Sequence, residues 1–97
     1  MFGKKGFLVY LHLGQSVVIP FRDVIGIFDL DNASYSHLTR QFLRQSEEEG
    51  RVYNVSEELP KSFVLCRDDR GSVRVYISQL SSATLLKRAE ADVFETN

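Results

Sequence analysis

Cysteine is nearly missing from this chain: Cys66 is the single one among 97 residues. One thiol can close no disulfide within the chain, and it cannot make a multi-thiolate zinc site. It lies in the apolar run SFVLC, where a free cysteine packs as a small hydrophobe. Long apolar runs are missing too. None approaches the ~20 residues that a membrane helix needs. Excess charge of either sign is also absent, with 12 Lys+Arg against 13 Asp+Glu and a formal net charge of −1. That balance argues against binding to nucleic acid by overall charge alone. A nucleic-acid site would have to be a local patch, or a patch repeated around an oligomer. The start, MFGKKG, is too short and too polar in its flanks for a signal peptide, so a cytoplasmic location is the expectation.

The motifs of common chemistry are missing as well. Gly3-Lys-Lys-Gly6 has no preceding strand and no Lys-Ser/Thr ending, so it is not a phosphate loop. His12 and His37 with one cysteine show no metal-ligand spacing. Asp29 and Asp31 flank a strand end, but the further oxygens and terminal Glu of a calcium loop are not there, and capping of a turn suits them. No nucleophile-elbow sequence surrounds any serine. The expectation is a protein that is not an enzyme, with no cofactor, no metal and no small-molecule substrate.

What is present reads as one small α+β domain spanning residues 1–97, with residues 1–6 as a loose lead-in. At 43% hydrophobic and 26% charged residues, the composition is that of a globular protein. Phe7–Leu13 alternates in the period of a strand, with Phe7, Val9, Leu11 and Leu13 on a wholly apolar face. Gly14-Gln15 then makes a hairpin turn, Val17–Ile19 returns, and Pro20 ends the strand. Asp23–Leu30 is the strongest β signal, with Gly26 marking a bulge or a close backbone approach. A turn at Asp31–Ser36, capped by Ser34 or Ser36, leads into a helix that reaches about Glu49 and stops at Gly50. Its apolar stripe is Tyr35, Leu38 and Phe42, with Leu43 beside it, and Arg40, Gln41, Arg44 and Glu47–Glu49 point outward.

Arg51–Val55 is a short strand or an extended link, and Ser56–Pro60 is a loop. Lys61–Cys66 and Val73–Ile77 form a hairpin around RDDRGS. A last helix, Ser82–Phe94, is capped by Ser81 or Ser82 and carries Leu85, Leu86, Ala89 and Val93. The sheet from Phe7 to Ile77 is expected to be mainly antiparallel. The nearly continuous apolar run from Val17 to Phe28 offers more hydrophobic edge than one small domain covers, which predicts a homo-oligomer.

The basic residues carry the functional signal. Arg22 sits between apolar segments just after Pro20. It reads either as a site residue or as a sheet-edge arginine paired to Asp23 or Asp29. Lys61, Arg67, Arg70 and Arg74 can form a phosphate-facing edge, with Asp68 and Asp69 placed to neutralise it locally.

The order and spacing of YLHLGQSVVIPFRDVIGIFD, TRQFLRQ, PKSFVLC and VYISQLSSATLLKRA resemble the small bacterial extracellular matrix regulatory family, its RemB-like branch more than its RemA-like one. The resemblance implies a cytoplasmic regulator of genes for biofilm matrix and osmotic adaptation, with a LytTR-like fold. In the RemA-like branch the protein binds double-stranded DNA directly, as a ring of several subunits. A ring multiplies a small patch, which suits a nearly neutral chain. Arg22 stands in the place of the family's DNA-contacting arginine after the second strand. The RemA-like branch has a Gly-Arg-Arg-Thr-Arg loop before the strand matching Lys61–Cys66. Here the loop is Ser56-Glu-Glu-Leu-Pro-Lys61, so only Lys61 is basic. Two functions follow as expectations. One is an oligomeric DNA-binding transcriptional regulator using Arg22 and Lys61 with Arg67, Arg70 and Arg74. The other is an oligomeric interaction module that works through a partner protein, suggested by Glu57 and Glu58.

Overall fold

Three successive residues with positive φ, Gly14 (106°), Gln15 (51°) and Ser16 (73°), turn the chain back on itself near its start. The computed structural model describes residues 9–33 and 36–95, and the side chains of all of these except 32, 33 and 91–95. Among the described residues, the strands joined by this turn, β1 (Tyr10–Gly14) and β2 (Val17–Pro20), pair only with each other. Leu11 and Leu13 point into the core and Tyr10 and His12 point out, as the alternation requires. The expected start at Phe7 lies outside the described residues.

A single turn of 3₁₀ helix, Phe21–Asp23, follows Pro20 and separates the hairpin from the rest. The sheet expected to run from Phe7 to Ile77 is therefore two sheets. The second has four strands in the order β3-β5-β6-β4: β3 (Val24–Asp29), β5 (Ser62–Arg67), β6 (Val73–Ser78) and β4 (Val52–Asn54). β3, β5 and β6 are antiparallel neighbours, and β4 joins β6 in parallel. The chain is thus α+β with mainly antiparallel pairing.

Gly26 does mark a bulge. The register slips between Val24 and Gly26, and this extrudes Ile25, which is 58% exposed. A Cβ at residue 26 would lie 2.7 Å from the Phe28 ring, so the ring packs directly on the glycine backbone. Phe28 then stacks on Phe63, with ring centroids 4.9 Å apart.

Among the described residues, three α-helices complete the fold. The stretch expected to be only a turn opens as a short helix, α1 (Leu30–Ala33), begun by the Asp31 amide donating to Asp29 Oδ1 at 2.8 Å. In α2 (His37–Glu48) the Ser36 hydroxyl accepts from the Thr39 amide, and Gly50 ends the helix at φ 74°. In α3 (Ser82–Glu95) the Ser81 hydroxyl accepts from the Thr84 amide at 3.1 Å.

The core lies between the hairpin, α3 and one face of the four-stranded sheet. Leu11, Leu13, Ile19, Val55, Val64, Cys66, Leu85 and Ala89 meet there. Each buried Leu or Val contributes about 1.5–3 kcal/mol. On α3, Leu86 points out rather than in. α2 lies along β4 on the other side of the sheet, and its buried side is rotated from the expected stripe by about a quarter turn, toward Leu43. Its buried residue is Ser46, with Leu43 half-buried near Val52 and Ile77, while Leu38 is 74% exposed and Phe42 is exposed beside it.

Candidate nucleic-acid interface

Strand register decides which basic residues meet. β3 and β5 pair Val24 with Cys66, and β5 and β6 pair Cys66 with Arg74. Arg22 just before β3, Arg67 at the end of β5, Arg70 in the turn and Arg74 near the start of β6 therefore share one end of the sheet. At the other end Asp29 faces Ser62, and Ser62 faces Ser78. Lys61 is held there: its amide donates to the Ser78 carbonyl, and its carbonyl accepts from the Leu30 amide. Six steps along β5 put it about 20 Å from Arg67. The structure thus places the four arginines at one end of the strands, with Arg67 and Arg74 on opposite faces of the sheet, and sets Lys61 apart.

Arg22 is an exposed side chain at 69%, and its Nε stands 4.0 Å from Asp23 Oδ1. Of the two carboxylates the sequence offered it, only Asp23 is close. Asp29 lies at the far end of β3. A contact this long and exposed contributes little and leaves the guanidinium free to face a phosphate.

The RDDRGS turn is pinned by its own hydrogen bonds. Asp68 Oδ1 accepts from the amides of Arg70 and Ser72, each at 2.9 Å. The Asp68 amide donates to the Ser72 carbonyl, and Gly71 turns the chain at φ 86°. The Ser72 amide is the main cause that holds the Asp68 carboxyl below its usual range. The Arg70 amide and the Arg74 and Arg70 charges add to it. Asp68 is thus engaged in shaping the turn that carries Arg67 and Arg70, both of them exposed.

Arg74 behaves differently from its neighbours. Its guanidinium lies over the Tyr53 ring, 5.8 Å from the centroid. Tyr53 in turn stacks on Tyr76, with centroids 5.5 Å apart. The Tyr76 hydroxyl is the main influence raising the Arg74 pKa further. Sequence reasoning missed this trio. Tyr53 and Tyr76 become partners only through the parallel pairing of β4 with β6.

Between this face and β2 is a small hollow of about 120 Å³, lined among others by Val18, Asp23, Cys66, Asp68, Arg74 and Tyr76. Burial, with Asp23 adding and Arg74 opposing, pushes the Cys66 thiol up to about 12. The thiol is a buried, uncharged core group, as the SFVLC run predicts.

Glu57 and Glu58 lie across from Gln15 of the hairpin turn, beside Asn54 and Val55. The hairpin turn belongs to the Ser78 end of the sheet, where the Ser78 hydroxyl donates to the Leu13 carbonyl. The two glutamates therefore stand at the opposite end from the four arginines.

Over 82 residues the chain is 37% identical to extracellular matrix regulatory protein B of Bacillus subtilis (strain 168), covering 84% of this chain and 91% of that protein. The chain belongs to the extracellular matrix regulatory protein B family. No protein-family model matches it. For the extracellular matrix regulatory protein B family, the arrangement here offers an exposed arginine end and, at the far end, an acidic loop. Among the described residues no helix is long and apolar enough to cross a membrane.

Proposed function

We propose that this chain regulates extracellular matrix genes by binding double-stranded DNA, acting in the cytoplasm as a homo-oligomer. Arg22, Arg67 and Arg70 contact phosphates. Lys61, about 20 Å from Arg67 at the glutamate end of the sheet, takes no part in that contact. Arg74 lends charge from its place over Tyr53. The reading involves no catalysis and no cofactor.

The observation that carries it is the grouping of exposed arginines at one end of the sheet, with Glu57 and Glu58 at the other. A duplex seated on the arginines does not meet the glutamates of the same subunit. One subunit offers few contacts, and repetition around an oligomer supplies the rest. The exposed edge of β3 at Ile25 and the outward face of α2 at Leu38 and Phe42 offer apolar surface for self-association.

The test is the salt dependence of duplex binding by the purified chain. The logarithm of affinity should fall linearly with the logarithm of salt concentration, by about 0.9 per phosphate neutralised. Absence of binding at low salt overturns the proposal.

A second reading has its own support. Leu38 and Phe42 on α2, together with the Glu57–Glu58 loop, suit a partner protein through which the chain regulates without touching DNA. Salt-sensitive duplex binding by the isolated chain counts against it.

A further inference from the structure

Tyr53, Tyr76 and Arg74 lie on the face of the four-stranded sheet that also bears the hairpin, but toward its β4 margin. No strand flanks β4 on its outer side among the described residues. Tyr53 is 45% exposed there and takes no part in the core cluster. Its ring is already set in a stack, with Tyr76 beside it at an interplanar angle of 28° and the Arg74 guanidinium above. Val18 of β2, itself exposed, borders the same surface. Asp23 and Asp68 are the acidic groups on this side; Asp68 Oδ1 is engaged by the Arg70 and Ser72 amides, and Asp23 Oδ1 stands 4.0 Å from Arg22 Nε. A half-exposed tyrosine ring stacked on Tyr76, with an arginine over it, suits a flat aromatic ring attached to a phosphate.

We propose that Tyr53 and Arg74 form a stacking site for an unpaired nucleobase and its phosphate, presented by single-stranded nucleic acid. The inference rests on the reading of this chain as a nucleic-acid binder. It adds that the sheet margin next to the arginine end distinguishes unpaired from paired bases. In a closed duplex the base faces are covered by their neighbours, so Tyr53 has nothing to stack on. Where bases are unpaired, each exposes a face that an aromatic side chain covers whatever the sequence. Stacking of one base adds about ten- to a hundredfold to affinity. That is too little to retain a free nucleotide on an open surface, and enough to bias a strand already held by its phosphates. The occupant is therefore a strand.

The experiment measures fluorescence anisotropy with labelled probes of one sequence: a fully paired duplex, the same duplex with a central unpaired bubble, and the single strand. The protein is wild type, Tyr53→Leu or Tyr53→Phe. Wild type should bind the bubble about tenfold more tightly than the closed duplex. Tyr53→Leu should remove that preference, read as the ratio of bubble to duplex affinity. Tyr53→Phe, which keeps the ring, should retain it. Equal affinity of wild type for bubble and duplex overturns the inference, and so does a preference that survives Tyr53→Leu. Displacement of the bubble probe by micromolar adenosine monophosphate assigns the surface to free nucleotides and overturns the strand assignment. If the closed duplex does not bind at all but bubble and single strand bind through Tyr53, the duplex reading fails and this one stands.

Discussion

The Ser78 hydroxyl donates to the carbonyl of Leu13 at 2.9 Å, and both side chains are fully buried. The same oxygen accepts from the Leu80 amide. This contact fastens the hairpin to the four-stranded sheet, two units that share no strand pairing among the described residues. Ser78→Ala leaves a buried carbonyl and an amide without that partner, at a cost of about 2 kcal/mol. In a domain of this size that lowers the melting temperature by roughly 10 °C, which thermal circular dichroism reads directly. An unchanged melting temperature would show that the hairpin is held by its apolar contacts alone.

Leu38 is largely exposed on α2 although it belongs to the helix's apolar stripe. Leu38→Lys should leave folding stability within about 0.5 kcal/mol, because no core contact is lost. If this face joins subunits, the variant scatters light as a smaller species than wild type. An unchanged mass would place the joint elsewhere, on the β3 edge at Ile25.

Cys66 supplies a prediction with a definite sign. Its thiol is pushed up to about 12 from an ordinary 9.0, chiefly by burial. The fold favours the protonated form, so that stabilisation is complete below pH 9.0. As the pH rises from there to about 12, the unfolded chain ionises first and stability falls. Cys66→Ala should lack this slope in denaturant titrations. Native Cys66 should also react with a thiol reagent at pH 8 roughly a thousandfold more slowly than in the unfolded chain, since the thiolate is the reactive form. Rapid labelling of the native protein would contradict the burial.

Much of this architecture was legible from residue pattern. Leu11 and Leu13 point in and Tyr10 and His12 point out because a strand has a period of two. Gly14, Gly26 and Gly50 each do the local task that their type suggests: turn, bulge and helix end. The facing of α2 was not legible. Helical periodicity tells which residues share a side, but not on which side the partner lies. The helix closes on β4 through small Ser46 and half-buried Leu43, while Leu38 faces solvent. The split into two sheets follows from the turn at Phe21–Asp23, whose short sequence reads equally well as extended chain. The arginines of RDDRGS were evident as a cluster from their spacing. That Arg22 joins them and Lys61 does not is a consequence of antiparallel register, which only the folded pairing fixes. The Tyr53–Tyr76 stack depends on a parallel pair formed between distant segments, and nothing local announces it.

The central claim is that the arginine end seats a DNA duplex and that the far-end glutamates do not oppose it. The most direct measurement is fluorescence anisotropy of a labelled duplex at low and at physiological salt. Wild type is compared with Arg22→Ala and with the double variant Glu57→Gln, Glu58→Gln. The account predicts binding that weakens with salt, weakens several-fold further in Arg22→Ala, and changes by less than about twofold in the double variant. No binding at either salt, or an affinity that ignores Arg22, would contradict it.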